Sequence, residues 1–157
     1  MVDTKHSSPP DPLPLRRRSP IPRAQIDAGS SAVCLNAWRR VLIVDDCRFI
    51  AERMARVLEA RSFHCTIVAD GYQGMQLLSE EDFDMVVLEV NTPVVDGFTL
   101  LRHIRDQGST HAKVPVLMLS GEQSIADYDR AVELGADGYL AKPLQRRPLD
   151  AMLDSML

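Results

Sequence analysis

Charged and polar side chains follow the short apolar runs of this sequence at the points where the runs stop. Asp45 and Asp46 come directly after one run and Glu89 comes directly after another. Ser120 and Lys142 follow two further runs in the same way. Carboxylate oxygens are the ligands that Mg2+ prefers, and lysine and serine side chains bind phosphoryl oxygens. If these residues come together, they contain the parts of a phosphoryl-transfer site, which works by positioning and charge neutralisation.

The apolar runs must position these side chains. They are rich in β-branched residues and short, which is typical of buried strands. The runs are VLIV (41–44), CTIVA (65–69), MVVL (85–88), VPVLML (114–119) and GYLA (138–141). Between them, apolar residues recur at helical spacing. The alternation predicts an α/β fold, a doubly wound five-stranded parallel sheet in the order 2-1-3-4-5 with five helices on its two faces.

In such a sheet the functional site lies beyond the carboxyl ends of the strands. We therefore expect the five side chains to converge at one edge. Each has a structural explanation when taken alone, because Asp46 and Ser120 are good helix caps and Lys142 is of a type common on surfaces. Their joint occurrence at the strand ends favours a site.

The first 37 residues differ in composition from the rest. They are rich in Pro, Ser and Arg, which predicts a disordered tail over residues 1–37, followed by one domain over residues 38–157. Residues 1–40 contain seven Lys or Arg against three Asp, whereas the remainder contains 11 basic against 19 acidic residues. Nucleic-acid binding would depend on Arg16, Arg17 and Arg18 in the tail, and a solvated charge run is the simpler interpretation.

Cysteine usage and hydropathy indicate the compartment. Cys34, Cys47 and Cys65 are odd in number and lack metal-ligand spacing, so neither a disulfide framework nor a zinc site is indicated. No run reaches the roughly 18 apolar residues of a membrane span. We expect a cytoplasmic protein with reduced thiols and no membrane contact.

Four short motifs carry a resemblance to a known family. They are DD after the first strand, a P-x-x-D-G turn from Pro93 to Gly97, S-G after the fourth strand and AKP after the fifth. With these motifs, the region from about Arg40 to Leu157 resembles the receiver domain of bacterial two-component response regulators. The resemblance implies a flavodoxin-like fold and an aspartate at the end of the third strand that accepts a phosphoryl group from a histidine kinase.

The resemblance also implies roles for individual residues. Its Mg2+ site would comprise Asp45, Asp46, the residue at position 89 and the backbone carbonyl of Asn91. Ser120 matches the switch hydroxyl, Tyr139 the switch aromatic residue and Lys142 the lysine of the pattern. It further implies a cis peptide bond between Lys142 and Pro143.

The sequence departs from the family pattern at position 89, where LEVNTP has Glu89 in place of the phosphoaccepting aspartate. The extra methylene moves the carboxylate about 1.3 Å farther out, and a displacement of ~1 Å can slow a positioned reaction ~100-fold. We therefore expect little acyl phosphate on Glu89 and weak or absent Mg2+ binding. Glu89 either imitates a phosphoryl group in part or pairs with Lys142 and locks one state, and both interpretations remain open at this point.

Three functional hypotheses follow. The first is a pseudo-receiver that is not an enzyme and acts by binding a protein. The second is an ordinary receiver that accepts a phosphoryl group from a histidine kinase. The third, a flavodoxin-like cofactor binder, is disfavoured because Asp45 and Asp46 would repel a phosphate.

The partner surface is predicted on the fourth helix, the fifth strand and the last helix. Ile125, Tyr128 and Val132 form a stripe on a helix predicted to start near Glu122. We expect Tyr128 and Tyr139 to lie at the centre of this surface. The same spacing is explained equally well if the stripe packs into the core, and both interpretations stay open at this point. The partner would be an effector, a kinase or a second copy in a homodimer. The last helix is predicted to begin near Pro148.

Overall fold

The computed structural model describes residues 39–122 and 124–157, and in them strands and helices alternate. The strands are β1 (Arg39–Val44), β2 (Phe63–Val68), β3 (Met85–Glu89), β4 (Val116–Ser120) and β5 (Gly138–Ala141). The helices are α1 (Arg48–Glu59), α2 (Gly71–Glu80), α3 (Gly97–Arg105), α4 (Ile125–Glu133) and α5 (Arg146–Met156). The predicted tail, residues 1–37, lies outside the described residues.

The five strands form one parallel sheet in the order β2-β1-β3-β4-β5, which confirms the predicted fold class. The register aligns the strand ends. Glu89 pairs with Leu119, and Ser120 pairs with Ala141. The carboxyl ends of β1, β3, β4 and β5 therefore meet at one edge of the sheet.

The core lies on both faces of the sheet because successive strand side chains point to opposite sides. One cluster packs Leu42 and Leu88 against α2, α3 and α4, and the other packs Ile43 and Val87 against α1 and α5. All residues of β3 and β4 are buried. Full burial of each large apolar side chain contributes about 1.5–3 kcal/mol, so the central strands hold the edge residues in fixed positions.

Some strand bounds differ from the predicted ones. β2 begins at Phe63, two residues before the predicted start, and ends at Val68. β4 begins at Val116 and not at Val114. Pro115 separates the two positions and has no N–H to donate to the ladder.

Two predicted helix starts are wrong. α4 begins at Ile125 and not near Glu122, because Ser124 caps the helix by accepting a hydrogen bond from the Asp127 N–H. α5 begins at Arg146 and not near Pro148. Pro148 is its third residue, where the helix leaves the backbone N–H without an intrahelical partner.

A partly buried ion pair fixes the end of α3 and the turn after α4. Arg105 donates hydrogen bonds to the carbonyl oxygens of Gly135 and Val114 at 2.9 and 2.8 Å and to Asp137 Oδ2 at 2.6 Å. Asp137 Oδ2 also accepts the Val116 N–H at 2.9 Å. The side chains of Arg105 and Asp137 are only 13% and 10% exposed. The pair therefore joins α3, β4 and the start of β5.

Replacing Arg105 by Met should lower the free energy of unfolding by about 1.5–3 kcal/mol, because it removes the charged hydrogen bonds that Arg105 makes to Asp137 and to the Gly135 and Val114 carbonyl oxygens. Urea denaturation measures this loss. Arg48→Met is the matched control, since Arg48 is 88% exposed and pairs only along the surface of α1, where such a pair contributes about 0–1 kcal/mol. Equal losses in the two variants would contradict a stabilising role for Arg105.

Candidate functional site

Three charged residues from different strand ends meet at the carboxyl edge of the sheet. Asp45 follows β1, Glu89 ends β3 and Lys142 follows β5. Asp45 and Glu89 are 2% and 4% exposed. Lys142 Nζ lies 2.7 Å from Asp45 Oδ2 and 2.5 Å from Glu89 Oε2. Of the five side chains predicted to converge at this edge, the structure brings these three into contact.

The remaining carboxylate oxygens are bound by backbone amides. Asp45 Oδ1 accepts the Cys47 N–H at 2.8 Å, and Glu89 Oε1 accepts the Asn91 N–H at 3.1 Å. Each carboxylate therefore has one oxygen on the ammonium and one on an amide two residues later in its own loop. This arrangement orients both groups toward Lys142 and away from solvent.

The pKa of Lys142 reflects two opposing effects. Burial lowers it, because desolvation disfavours the charged ammonium. Hydrogen bonds to Asp45 and Glu89, together with their negative charge, outweigh burial and raise the pKa above its ordinary value of 10.5. Lys142 is therefore a permanent cation at physiological pH.

The loops beside the site approach it closely. A side chain at Gly97 would place its Cβ 2.3 Å from the carbonyl oxygen of Glu89, so only glycine fits there. The Gly97 N–H donates to the Val90 carbonyl at 2.9 Å, which ties the start of α3 to the end of β3. The peptide bond between Lys142 and Pro143 is cis, as expected, and the Lys142 N–H donates to the Ser120 carbonyl at 2.7 Å.

The Ser120 hydroxyl belongs to a local turn. Ser120 Oγ donates to the Glu122 carbonyl at 2.7 Å and accepts the Glu122 N–H at 3.2 Å. The side chain is fully buried. The hydroxyl therefore lies at the predicted edge of the sheet, but its hydrogen bonds are made to the chain after β4.

Tyr139 corrects one expectation. It is expected at the centre of the partner surface, but it is only 3% exposed and belongs to the core beside Ala131. Its ring packs edge to face on Tyr128, with ring centroids 5.7 Å apart. Burial raises the pKa of the Tyr139 hydroxyl above its usual value, and the nearby Ser120 offsets only part of that rise. Tyr128 is half-buried and packs against the same core.

The predicted metal ligands are only partly brought together. Asp45 and Glu89 face Lys142, whereas Asp46 and Asn91 are exposed. Within residues 39–122 and 124–157, no three His, Cys, Asp or Glu side chains are arranged to hold a metal ion. The donor types suit Mg2+. The ammonium of Lys142 lies between the Asp45 and Glu89 carboxylates.

Several contributors to the site were missed from sequence. The functional side chains are bound by the backbone amides of Cys47 and Asn91 and by the backbone of Glu122. Because every residue has such backbone groups, the residue types do not reveal these contacts. Val94, in the loop after β3, has φ +65° and is 81% exposed. A β-branched residue rarely adopts this conformation, so its strain was not foreseeable from the pattern around it.

The thiols of the two described cysteines take no part in this chemistry. Cys47 contributes its backbone amide and its thiol is free, as is that of Cys65. Burial, followed by the charge of Glu59, raises the pKa of Cys65 to about 11. The Cys65 thiol is therefore protonated and unreactive at neutral pH.

Comparison with known proteins identifies the architecture. Residues 41–154 match the response regulator receiver domain. The chain belongs to this family. The receiver is 34% identical over 118 residues to the transcriptional regulatory protein TctD of Salmonella typhimurium, an alignment that covers 75% of this chain and 51% of TctD. It is 32% identical to the cell cycle response regulator CtrA of Brucella ovis, covering 75% of this chain and 50% of CtrA.

Solved structures show the same fold. The chemotaxis protein CheY4 of Vibrio cholerae superposes with a TM-score of 0.70 at 30% identity, over 77% of this chain and 100% of that one. The receiver domain of the sensor histidine kinase PA1611 of Pseudomonas aeruginosa has a TM-score of 0.67 at 28% identity, over 76% and 98% of the two chains. That structure holds a magnesium ion in its active site cleft.

These matches define the receiver as a domain of two-component signalling. The chain spans about half the length of the curated relatives it matches. Among the helices of the described part of the chain, none is long and apolar enough to cross a membrane.

The raised pKa of Lys142 sets the pH range in which its ion pairs stabilise the receiver. A group with a raised folded pKa contributes fully below its unfolded pKa, here 10.5, and loses the contribution as pH rises through the folded value. The difference in unfolding free energy between the native receiver and Lys142→Met should thus stay constant from about pH 7 to 9 and shrink above about 10.5. Urea denaturation across this range measures it, and a difference that falls before pH 9 would contradict the assignment.

Proposed function

We propose that the receiver acts through contact with a protein partner, as a pseudo-receiver, and is neither an enzyme nor stably phosphorylated at Glu89. The observation that carries the proposal is the pairing of Glu89, whose two carboxylate oxygens are engaged by Lys142 and by the Asn91 amide. A phosphoacceptor must present a free oxygen to the incoming phosphorus. Glu89 is only 4% exposed.

Side-chain length supports the same conclusion. By the family resemblance, an aspartate would stand at position 89. Glutamate carries its carboxylate about 1.3 Å farther along, and in-line phosphoryl transfer depends on the attack geometry. The native chain should therefore react far more slowly than its aspartate variant.

An ordinary phosphoacceptor receiver is the second candidate. It is favoured by the family match and by the presence of Asp45, Ser120 and Lys142 at the strand ends. Under this alternative, a histidine kinase would transfer its phosphoryl group to Glu89 or to a neighbouring residue. The two candidates differ in one measurable product, the acyl phosphate.

The cofactor proposal is that Mg2+ binds weakly. The relative PA1611 holds Mg2+ in its cleft, and Asp45, Asp46, Glu89 and Asn91 supply oxygen ligands of the right type. Lys142 already neutralises two of the carboxylates, so the free energy that a metal gains there is small.

The proposed partner surface comprises α4, β5 and α5. Ile125 and Val132 on α4 are 67% and 40% exposed, and exposed apolar side chains on one helix face are suited to a protein contact. Tyr128 supports this surface from below by packing on Tyr139. The partner would be an effector, a kinase or a second copy, in a cytoplasmic setting without membrane contact.

Acetyl phosphate should leave the native chain unmodified, whereas Glu89→Asp should gain about 80 Da, the mass of one phosphoryl group, in the presence of Mg2+. Intact-mass spectrometry of both proteins measures whether the phosphoryl group is added. Glu89→Gln is the matched control, since it removes the carboxylate at nearly constant volume. A native adduct mapped to Glu89 would instead establish the ordinary receiver.

Ile125→Asp should weaken self-association and change the melting temperature by less than about 2 °C, because exposed surface positions contribute little to stability. Sedimentation velocity over a range of protein concentrations measures the association. Tyr72→Asp is the matched control, since Tyr72 is 52% exposed on α2, away from the proposed surface.

Tyr128→Ala should weaken association too, but with a clear drop in melting temperature, because the half-buried ring packs on the core. If Tyr72→Asp reduces association as much as Ile125→Asp does, the contact does not use α4.

A further inference from the structure

We infer that the outer edge of β2 is a strand-addition site and that residues 31–35 of this chain bind there, antiparallel to β2, as a sixth strand. The inference goes beyond the proposed function and does not depend on it, because β2 and β5 lie at opposite edges of the sheet. Three observations support it. They are the open edge of β2, the point at which the chain enters β1, and the composition of residues 31–35.

The outer edge of β2 presents backbone groups that no described strand covers. β2 is the first strand in the sheet order, and among the described residues it pairs only with β1. The Val68 carbonyl accepts the Asp45 N–H at 3.1 Å, so Val68 directs its backbone toward β1. Backbone direction alternates along a strand. The N–H and C=O groups of Cys65 and Ile67 therefore point away from β1.

The residues of β2 do not protect this edge. Natural edge strands carry charged residues, prolines or bulges that prevent pairing with another strand. The sequence of β2, FHCTIV, contains no proline and no Lys, Arg, Asp or Glu. Its register with β1 runs from Phe63 to Val68 without a bulge, and Ile67 is 38% exposed. An edge of this kind is suited to binding a further extended segment.

The chain enters the sheet beside this edge. Arg39, the first residue of β1, lies opposite Phe63, the first residue of β2. A strand added beyond β2 would lie two strand spacings from β1, or about 10 Å, and three extended residues span about that distance. Residues 36–38 are thus long enough to pass below the start of β2. The residues before them can then run antiparallel along its outer edge.

A cleft lies on this path. It has a volume of about 550 Å³, which is within the range of small binding sites. The residues that line it come from the starts of β1 and β2 and from the end of α1, and they are Arg40, Glu59, Phe63 and His64. The cleft is therefore placed to receive side chains of residues 36–38, of which Trp38 is the largest.

Residues 31–35 differ in composition from the residues before them. They read SAVCL and contain no proline, glycine or charged residue, whereas residues 1–30 contain six prolines. Antiparallel addition places Val33 beside Cys65, and a β-branched residue is favoured in a strand. Because neither segment carries a charge, their pairing brings no like charges together. The inference thus narrows the disordered tail that composition predicts to the residues before 31.

The segment's attachment to β1 favours it over a second copy of the chain. Strand addition obtains its affinity from main-chain hydrogen bonds, which any extended segment could supply. A segment held by a short linker has an effective concentration on the order of millimolar. Residues 31–35 are joined to β1 by three residues, so at micromolar protein concentration they occupy the edge before another molecule does.

Amide hydrogen exchange of the full chain, measured by NMR, tests the contact. The native Cys65 and Ile67 amides should be protected although they point away from β1. Val33→Pro should accelerate their exchange at least about ten-fold, because proline removes an N–H from the added strand. The Thr66 and Val68 amides face β1, so their exchange should change by less than about two-fold.

Ile26→Pro is the matched control. It introduces the same residue at another β-branched position before β1, but outside residues 31–38, and it should leave the exchange at Cys65 and Ile67 unchanged. An equal effect of Ile26→Pro and Val33→Pro would overturn the inference. Native amides that exchange as fast as those of Val33→Pro would also overturn it. Protection that increases with protein concentration would show that a second copy is the occupant, which contradicts the inference too.

Trp38 is the only tryptophan of the chain and gives an independent measurement. If residues 36–38 lie in the cleft, Val33→Pro should shift the Trp38 emission to longer wavelength and increase its quenching by acrylamide, whereas Ile26→Pro should change neither. Emission and quenching that are identical in the native chain and in Val33→Pro would refute the contact.

Discussion

Two carboxylates buried at the edge of a sheet require a cation, and this requirement organises the functional end of the molecule. Lys142 meets it by extending from the end of β5 across β4 to Glu89 and Asp45. Neighbouring strands lie about 4.8 Å apart, so only a long side chain spans that distance. The ion pairs join the ends of β1, β3 and β5 and hold three loops in a single arrangement.

The hydroxyl side of the site is organised independently. Ser120 is the last residue of β4, and its side chain closes a turn with Glu122. Tyr139 lies in the core against Tyr128, and this contact places α4 over the sheet. The charged half and the hydroxyl half thus share a backbone contact, from the Lys142 N–H to the Ser120 carbonyl, but no side-chain hydrogen bond that the described residues show.

The packing of α4 gives the receiver a surface that differs from its other helices. Ala131 is its one fully buried residue, whereas its first residue, Ile125, is 67% exposed. Arg105 fixes the turn after the helix through the Gly135 carbonyl and Asp137. The helix is therefore anchored at its C-terminal end and least buried at its N-terminal end, which is where a partner gains most from burying apolar area.

The sequence by itself determined the fold class, the strand order and the set of residues at the carboxyl edge. It did so because buried parallel strands produce continuous apolar runs, and the residue after each run has to lie at the same edge. The lengths of α4 and α5 were less predictable. Their starts depend on a cap at Ser124 and on a proline whose missing N–H does not matter in the first turn.

Only the tertiary structure decided how the site residues pair. The sequence did not show whether Glu89 faces Lys142 or the Ser120 hydroxyl. Ser120 ends the strand beside β3, and Lys142 follows the next strand, so both side chains are near enough to reach Glu89. The answer depends on distances of a few tenths of an ångström and on backbone groups, namely the amides of Cys47 and Asn91 and the carbonyl of Glu122. The burial of Tyr139 was likewise decided by packing, since a tyrosine in a short edge strand fits the core or the surface equally well until the position of α4 is known.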